Sequence, residues 1–231
     1  MIAAIFIGIF VILVVIAIFS ARRRGASTST FIKNKGFTPC PEEKEAIKVR
    51  VSAIENHPMY QCGIHKPHRA MLNSGNVYWY SKTRAGASEI RDVNSMPFEE
   101  FLIEVPRPSA DPLIIYMKPT EVTGGIALSL IEKTLSMNLT SHPPDVTKFS
   151  LPSHASYRNI LAVFGRKGAS PYDLISEDIL RLIDKAGDNG IFCMTFRGKD
   201  CLVNYMWEDR RFTMDQVLSF IEELQKVAIR R

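Results

Sequence analysis

Between Met1 and Phe19 the chain carries no charged side chain. At about 1.5 Å of rise per residue, the run MIAAIFIGIFVILVVIAIF makes a helix of roughly 28 Å. A bilayer's hydrocarbon core is about 30 Å thick. The run also lacks what a cleaved signal peptide needs. There is no basic side chain ahead of the apolar core, the core is long, and bulky Phe19 stands where a small residue would precede a cut after Ala21. The sequence therefore predicts an uncleaved transmembrane anchor over residues 1–21. Arg22, Arg23 and Arg24 follow it directly. Positive charge beside a span prefers the cytoplasmic side, so the expected topology is single-pass, with the N-terminus outside and the C-terminal region in the cytoplasm. These arginines can also pair with anionic headgroups, which makes the lipid bilayer the first expected partner. Ala4 and Gly8 have small-xxx-small spacing, here read as chance in an Ala/Ile-rich run.

Cysteine is sparse, with four residues at 40, 62, 193 and 201. That excludes a dense disulfide framework and suits a reducing compartment. In the cytoplasm the acceptor pattern Asn138-Leu139-Thr140 would go unused. Excess charge is lacking too. Of the net charge of +5, three units belong to Arg22, Arg23 and Arg24, which leaves +2 for the rest. So the basic pI is poor evidence for nucleic-acid binding, and no nucleic-acid partner is expected.

Catalytic signatures are missing as well. Gly165-Arg166-Lys167-Gly168 follows a strand pattern and precedes a helix pattern, where backbone N–H groups can cradle phosphate. It matches neither the P-loop nor the dinucleotide pattern and reads as a basic exposed turn. Ser141-His142 and Ser153-His154 are neighbours in sequence, which is not the geometry of a nucleophile and its base. Glu99-Glu100 and Glu208-Asp209 would point to opposite faces of a strand, so a solvated role is expected. Tyr78, Trp79 and Tyr80, with Lys82 and Arg84, could stack on bases. Near-neutral charge favours a strand with aromatics on both faces instead.

What is present is an α+β pattern. Residues 22–35, with the run Gly25-Ala26-Ser27-Thr28-Ser29-Thr30, read as a basic flank and flexible spacer. Residues 36–231 read as the soluble region, with a possible division near 106–112 or 138–156. Strands are expected at Ala46–Ile54 from its alternation, at Val77–Lys82, and at the proline-bounded runs Phe101–Val105 and Leu113–Met117. The stretch after Ile54, with its Pro, His and Gly, reads as a loop. Glu121–Met137 has helical spacing.

Further on, Ile160–Phe164 reads as a buried strand. A helix should open at Ser170 with Pro171 at its first position and close at Gly187 in the C′ position. Two strands should meet around Gly198-Lys199-Asp200, with Phe192, Met194 and Phe196 facing Cys201, Val203, Tyr205 and Trp207, and Cys193 on the other face from Cys201. The last helix should start at Thr213 with a capping box to Gln216 and bury Met214, Val217, Leu218, Ile221, Leu224 and Ala228. The expected fold is an N-terminal transmembrane helix followed by an open mixed or antiparallel sheet with helices packed on it.

A strand, then PYDLISEDILRLIDKAG, NGIFCMTFRGKDCLVNYMW and FTMDQVLSFIEEL resembles the C-terminal third of poorly characterised single-pass membrane-anchored bacterial proteins. The matching positions are core and turn residues. The resemblance implies an anchored α+β protein and carries over no functional residue.

One cluster points to chemistry. Cys62, His65 and His68, with His57 or Cys40 as a fourth ligand, combine thiolate and imidazole, which suit zinc. The usual paired spacings are not met, and the competing reading is a polar surface loop. No cofactor is otherwise expected. Two functions follow: a membrane-anchored cytoplasmic binding or structural domain, serving as an accessory or tethering subunit with a protein partner, or a metal-assisted enzyme using the Cys62–His68 loop.

Overall fold

The computed structural model describes residues 32–55, 60–72, 75–86, 98–106, 109–118, 146–151, 157–187, 191–205 and 214–229. The expected anchor, Arg22, Arg23 and Arg24, the helix expected at 121–137, both Ser-His pairs and Glu208-Asp209 lie outside them. No helix among the described residues is long and apolar enough to cross a membrane. The chain divides into two units, Met1–Thr38 and Pro39–Arg231.

Of the first unit, residues 32–38 are described. Residues 32–34 form one helical turn. Gly36 ends it at φ +82, while its N–H donates to Lys33 O and the Phe37 N–H donates to Ile32 O. This is a Schellman ending, which satisfies carbonyls left over at the helix end and favours glycine at the left-handed position.

The second unit is α+β. It starts with a single 3-10 turn, Pro41–Glu43, and helix α1, Lys44–Glu55. Strands β1 (Tyr60–Leu72), β2 (Gly75–Gly86), β3 (Phe98–Glu104), β4 (Leu113–Met117), β5 (Val146–Lys148) and β6 (Ile160–Arg166) follow. Then come α2 (Pro171–Leu174), α3 (Glu177–Ala186), β7 (Ile191–Arg197), β8 (Asp200–Tyr205) and α4 (Met214–Ile229). The sheet is nine-stranded if the two-residue strand Thr38–Pro39, which straddles the unit boundary, is counted. The other eight strands run in the order β1-β2-β3-β8-β7-β4-β6-β5, and each of their pairings is antiparallel. β3 and β4, on either side of the 106–112 stretch, thus share one sheet.

Register defines two faces, because directly paired residues point the same way. One face carries a row from Arg69 through Tyr78, Leu102, Leu202, Thr195 and Ile114 to Phe164. The adjacent row on the other face runs through Ala70, Val77, Ile103, Cys201, Phe196, Leu113 and Gly165. α1 covers the first face with Ile47, Val51 and Ile54, packed on Ile64, Tyr78, Tyr80, Leu102 and Leu202. The chain entering α3 closes over the second face at Gly165, where a Cβ would stand 2.6 Å from Leu174 Cδ1 and from Phe149 Cε2. α4 lies beside α3.

Several expectations change. Ala46–Ile54 is helix, not strand. Its apolar residues fit both periods, and Val49, which made the alternation, is 68% exposed. The expected loop after it contains a long strand instead, β1, paired with β2 through a bulge between His65 and His68. The helix opened by Ser170 stops after Leu174. Ile175 is extended, and Ser176 caps a second helix by accepting from the Ile179 N–H. Ser170 is the N-cap as expected, and with Asp173 it forms a capping box.

Gly187 is not a left-handed C′ residue. Its φ is −57, and a Cβ there would meet Asn159 Cβ at 2.5 Å and Met117 Cε at 2.8 Å, so space, not backbone freedom, requires glycine. The hairpin forms as expected in its described part, except that Asp200 belongs to the second strand and not to the turn. Arg197 pairs with Asp200 across Gly198-Lys199, Met194 and Phe196 share a face with Val203 and Cys201, and Cys193 stands opposite Asn204 on the other face. Gly198 has φ +56, which a primed hairpin turn requires. In α4, Val217, Leu218, Ile221, Leu224 and Ala228 are buried as expected, and Phe220 and Gln225 join them.

Candidate functional site

The richest side-chain chemistry among the described residues lies under α1. Tyr78, Tyr80 and Lys82 alternate along β2 and so face the helix, while Trp79 faces the other way. Lys82 is fully buried, and its Nζ donates to Glu55 Oε1 at 2.6 Å and also to Glu100 Oε1. Glu100 is buried too and accepts from the Tyr80 hydroxyl at 3.2 Å. Glu55 is the last residue of α1, so this cluster pins the C-terminal end of the helix to the sheet. The Arg197 guanidinium adds a bond to Ala53 O at 2.7 Å.

A second cluster holds the middle of α1. The Arg50 guanidinium donates through Nε to Asp200 Oδ2 at 3.0 Å, through Nη2 to Asp200 Oδ1, and to Glu104 Oε1 at 3.2 Å. Burial by itself would lower the Arg50 pKa. The hydrogen bond and charge of Asp200, with Glu104, outweigh it and hold the group firmly protonated. Its guanidinium carbon lies 5.3 Å from the Tyr78 ring centre, within cation–π range. The Tyr78 hydroxyl donates to Glu43 Oε2 at 2.8 Å, and Arg69 Nη1 pairs with Glu43 Oε1. Burial, then this bond to Glu43, raises the Tyr78 pKa, so the phenol stays a donor.

The zinc set is placed as follows. His57 and the side chain of Cys62 lie outside the described residues. Cys62 is in β1 opposite Arg84. His65 is exposed and sits opposite Ser81. His68 is buried opposite Trp79, its ring edge-on to the indole at 5.4 Å and its Nδ1 2.9 Å from Lys66 O. Lys66, at the bulge, has φ +49. Cys40 is buried, and its N–H donates to Pro67 O at 3.0 Å. Burial, then the charges of Glu43 and Glu42, push its thiol up to about 11, so it is a protonated core residue at neutral pH. Among the described residues no three His, Cys, Asp or Glu side chains are grouped to hold a metal ion.

The other candidates settle into structural roles. Glu100 is buried rather than solvated; the ammonium of Lys82 makes that tolerable. In the Gly165–Gly168 turn, Arg166 pairs with Asp111 at 3.3 Å. The Ser170 N–H goes to Asp173 and the Tyr172 N–H to Ser170 Oγ, so groups that a phosphate would use are already engaged. The Tyr78-Trp79-Tyr80 run is core on both faces. The Trp79 indole N–H donates to the Tyr205 hydroxyl at 3.1 Å.

Sequence reading missed the Lys82–Glu55–Glu100 and Arg50–Asp200–Glu104 clusters. Arg50 was hidden by the strand reading of its helix. Lys82 had one signal, its position two residues beyond Tyr80 on the same strand face.

No family model and no curated protein matches this chain. Among solved structures, it is similar to the crystal structure of the mycobacterial trehalose monomycolate transport factor A, at 10% identity and a TM-score of 0.44 over 86% of this chain and 90% of that one. A likeness at that level assigns neither family nor function.

Proposed function

We propose that this protein is a membrane-anchored binding or structural subunit whose α+β body sits on the cytoplasmic side and tethers or supports a protein partner. The observation that carries this reading is how the buried charges are spent. Lys82 is held by two carboxylates, and Arg50 is held by Asp200 and Glu104. The contacts of Arg50, and that of Lys82 with Glu55, join α1 to the sheet, while Lys82 and Glu100 link two neighbouring strands, so the residues best suited to acid–base work brace the fold. The apolar run at 1–19 and the arginines after it supply the anchor and its orientation.

Purification of the full-length protein from native membranes in mild detergent, with particle mass and composition measured, tests the reading. A defined hetero-assembly is the expected result. A lone monomer carrying one equivalent of zinc, lost on substitution of His65 or His68, would replace it with the metal-assisted enzyme. Labelling of an extramembrane cysteine by an impermeant reagent on intact cells would overturn the orientation.

A further inference from the structure

α1 is joined to the sheet in an unusual balance of contacts. Its described apolar contribution is Ile47, Val51 and Ile54, about one side chain per turn. Between them, Arg50 and Glu55 enter ion pairs with Asp200, Glu104 and Lys82, and the Ala53 carbonyl accepts from Arg197. Just before the helix, Glu43 pairs with Arg69. Taking paired charges out of water costs about as much as their mutual attraction returns. Lifting α1 off rehydrates Arg50, Glu104, Asp200, Lys82, Glu55 and Glu100, and this offsets most of the loss of the ion pairs. The described apolar contacts then supply most of the opposition to opening, and the ion pairs the small remainder. α4 has no such offset, because it buries Val217, Leu218, Phe220, Ile221, Leu224 and Ala228.

We propose that α1 is a detachable strap: it lifts off while the strands stay folded, uncovering a sheet face made of Ile64, Tyr78, Tyr80, Lys82, Glu100, Leu102 and Leu202. Such an opening is a local unfolding step of lower free energy than the global one. It also has a salt signature. The pairs of Arg50 are partly accessible, with side-chain exposures of 23% for Arg50 and Glu104 and 16% for Asp200, so added salt weakens them by screening. Apolar contacts are not weakened this way.

Hydrogen exchange of the full-length protein in mild detergent, read by mass spectrometry at about 0.05 M and about 1 M sodium chloride, tests the proposal. The α1 amides should exchange at least about tenfold faster than those of β2 and β8, and faster still at high salt, while α4 does not speed up. Alkylation of Cys40, which packs with Ile47 and Val51, gives a second readout. It should accelerate with salt and outpace Cys201 in β8. The proposal is overturned if α1 exchanges in step with β2 and β8 at both salt concentrations, if its faster exchange ignores salt, or if Cys40 reacts no faster than Cys201.

Discussion

α1 and α4 are both amphipathic helices packed within the same unit, yet they are attached by different chemistry. α4 uses bulk: six apolar side chains are buried along it, with Gln225 reaching the Glu104 carbonyl at 3.2 Å as its described polar contact to a strand. α1 uses fewer apolar side chains and surrounds them with charge. Apolar burial is non-directional and tolerates small shifts, whereas an ion pair demands one geometry. The charged side of the sheet therefore specifies where its helix sits, and the apolar side supplies stability.

The sharpest break of this comparison is Lys82→Met. It leaves Glu55 and Glu100 without their shared ammonium and should cost about 3–5 kcal/mol in urea unfolding. Adding Glu100→Leu removes the orphaned charge and should recover much of the loss; no recovery would show that the cluster is not one coupled unit. On the apolar side, Leu224→Ala should cost about 2–5 kcal/mol through lost burial and a cavity. A cost near zero would mean α4 is not core-packed.

Gly187→Ala forces a Cβ against Asn159 and Met117 and should cost about 1–3 kcal/mol by overpacking. If it stabilises instead, the close approach at the end of α3 is wrong. The smallest effect concerns Cys40. Its thiol is raised from 9.0 to about 11 in the fold, so the folded state favours the protonated form. That contribution is fully present below pH 9 and declines as pH climbs towards 11. Melting temperatures of the parent and Cys40→Ala should therefore converge over that alkaline window, and a constant gap would count against a buried thiol.

What could be read from sequence depended on whether a pattern had one interpretation. α4 was legible because its stripe fits the helical period alone. The β7–β8 hairpin was legible from Gly198-Lys199-Asp200 and the alternation on either side, although Asp200 itself starts β8. Ile160–Phe164 was legible as a short apolar run between turn residues. α1 was misread because Ile47, Val49, Val51 and Ala53 alternate like a strand while Ile47, Val51 and Ile54 space like a helix, and exposed Val49 tipped the balance. β1 was misread because its histidines, Lys66 and Pro67 break any apolar rhythm; its partner β2 and the bulge at Lys66-Pro67 make it a strand.

By itself, then, the sequence determined the α+β class, the position of the hairpin, the N-cap of α2 and the apolar stripe of α4, because each depends on residues close together in the chain. The tertiary structure decided the rest. Arg50 meets Asp200 across 150 positions and Glu104 across 54, Lys82 meets Glu55 across 27, and Trp79 meets Tyr205 across 126. A buried lysine or glutamate is tolerated only when its partner arrives, and no local pattern announces a partner that distant.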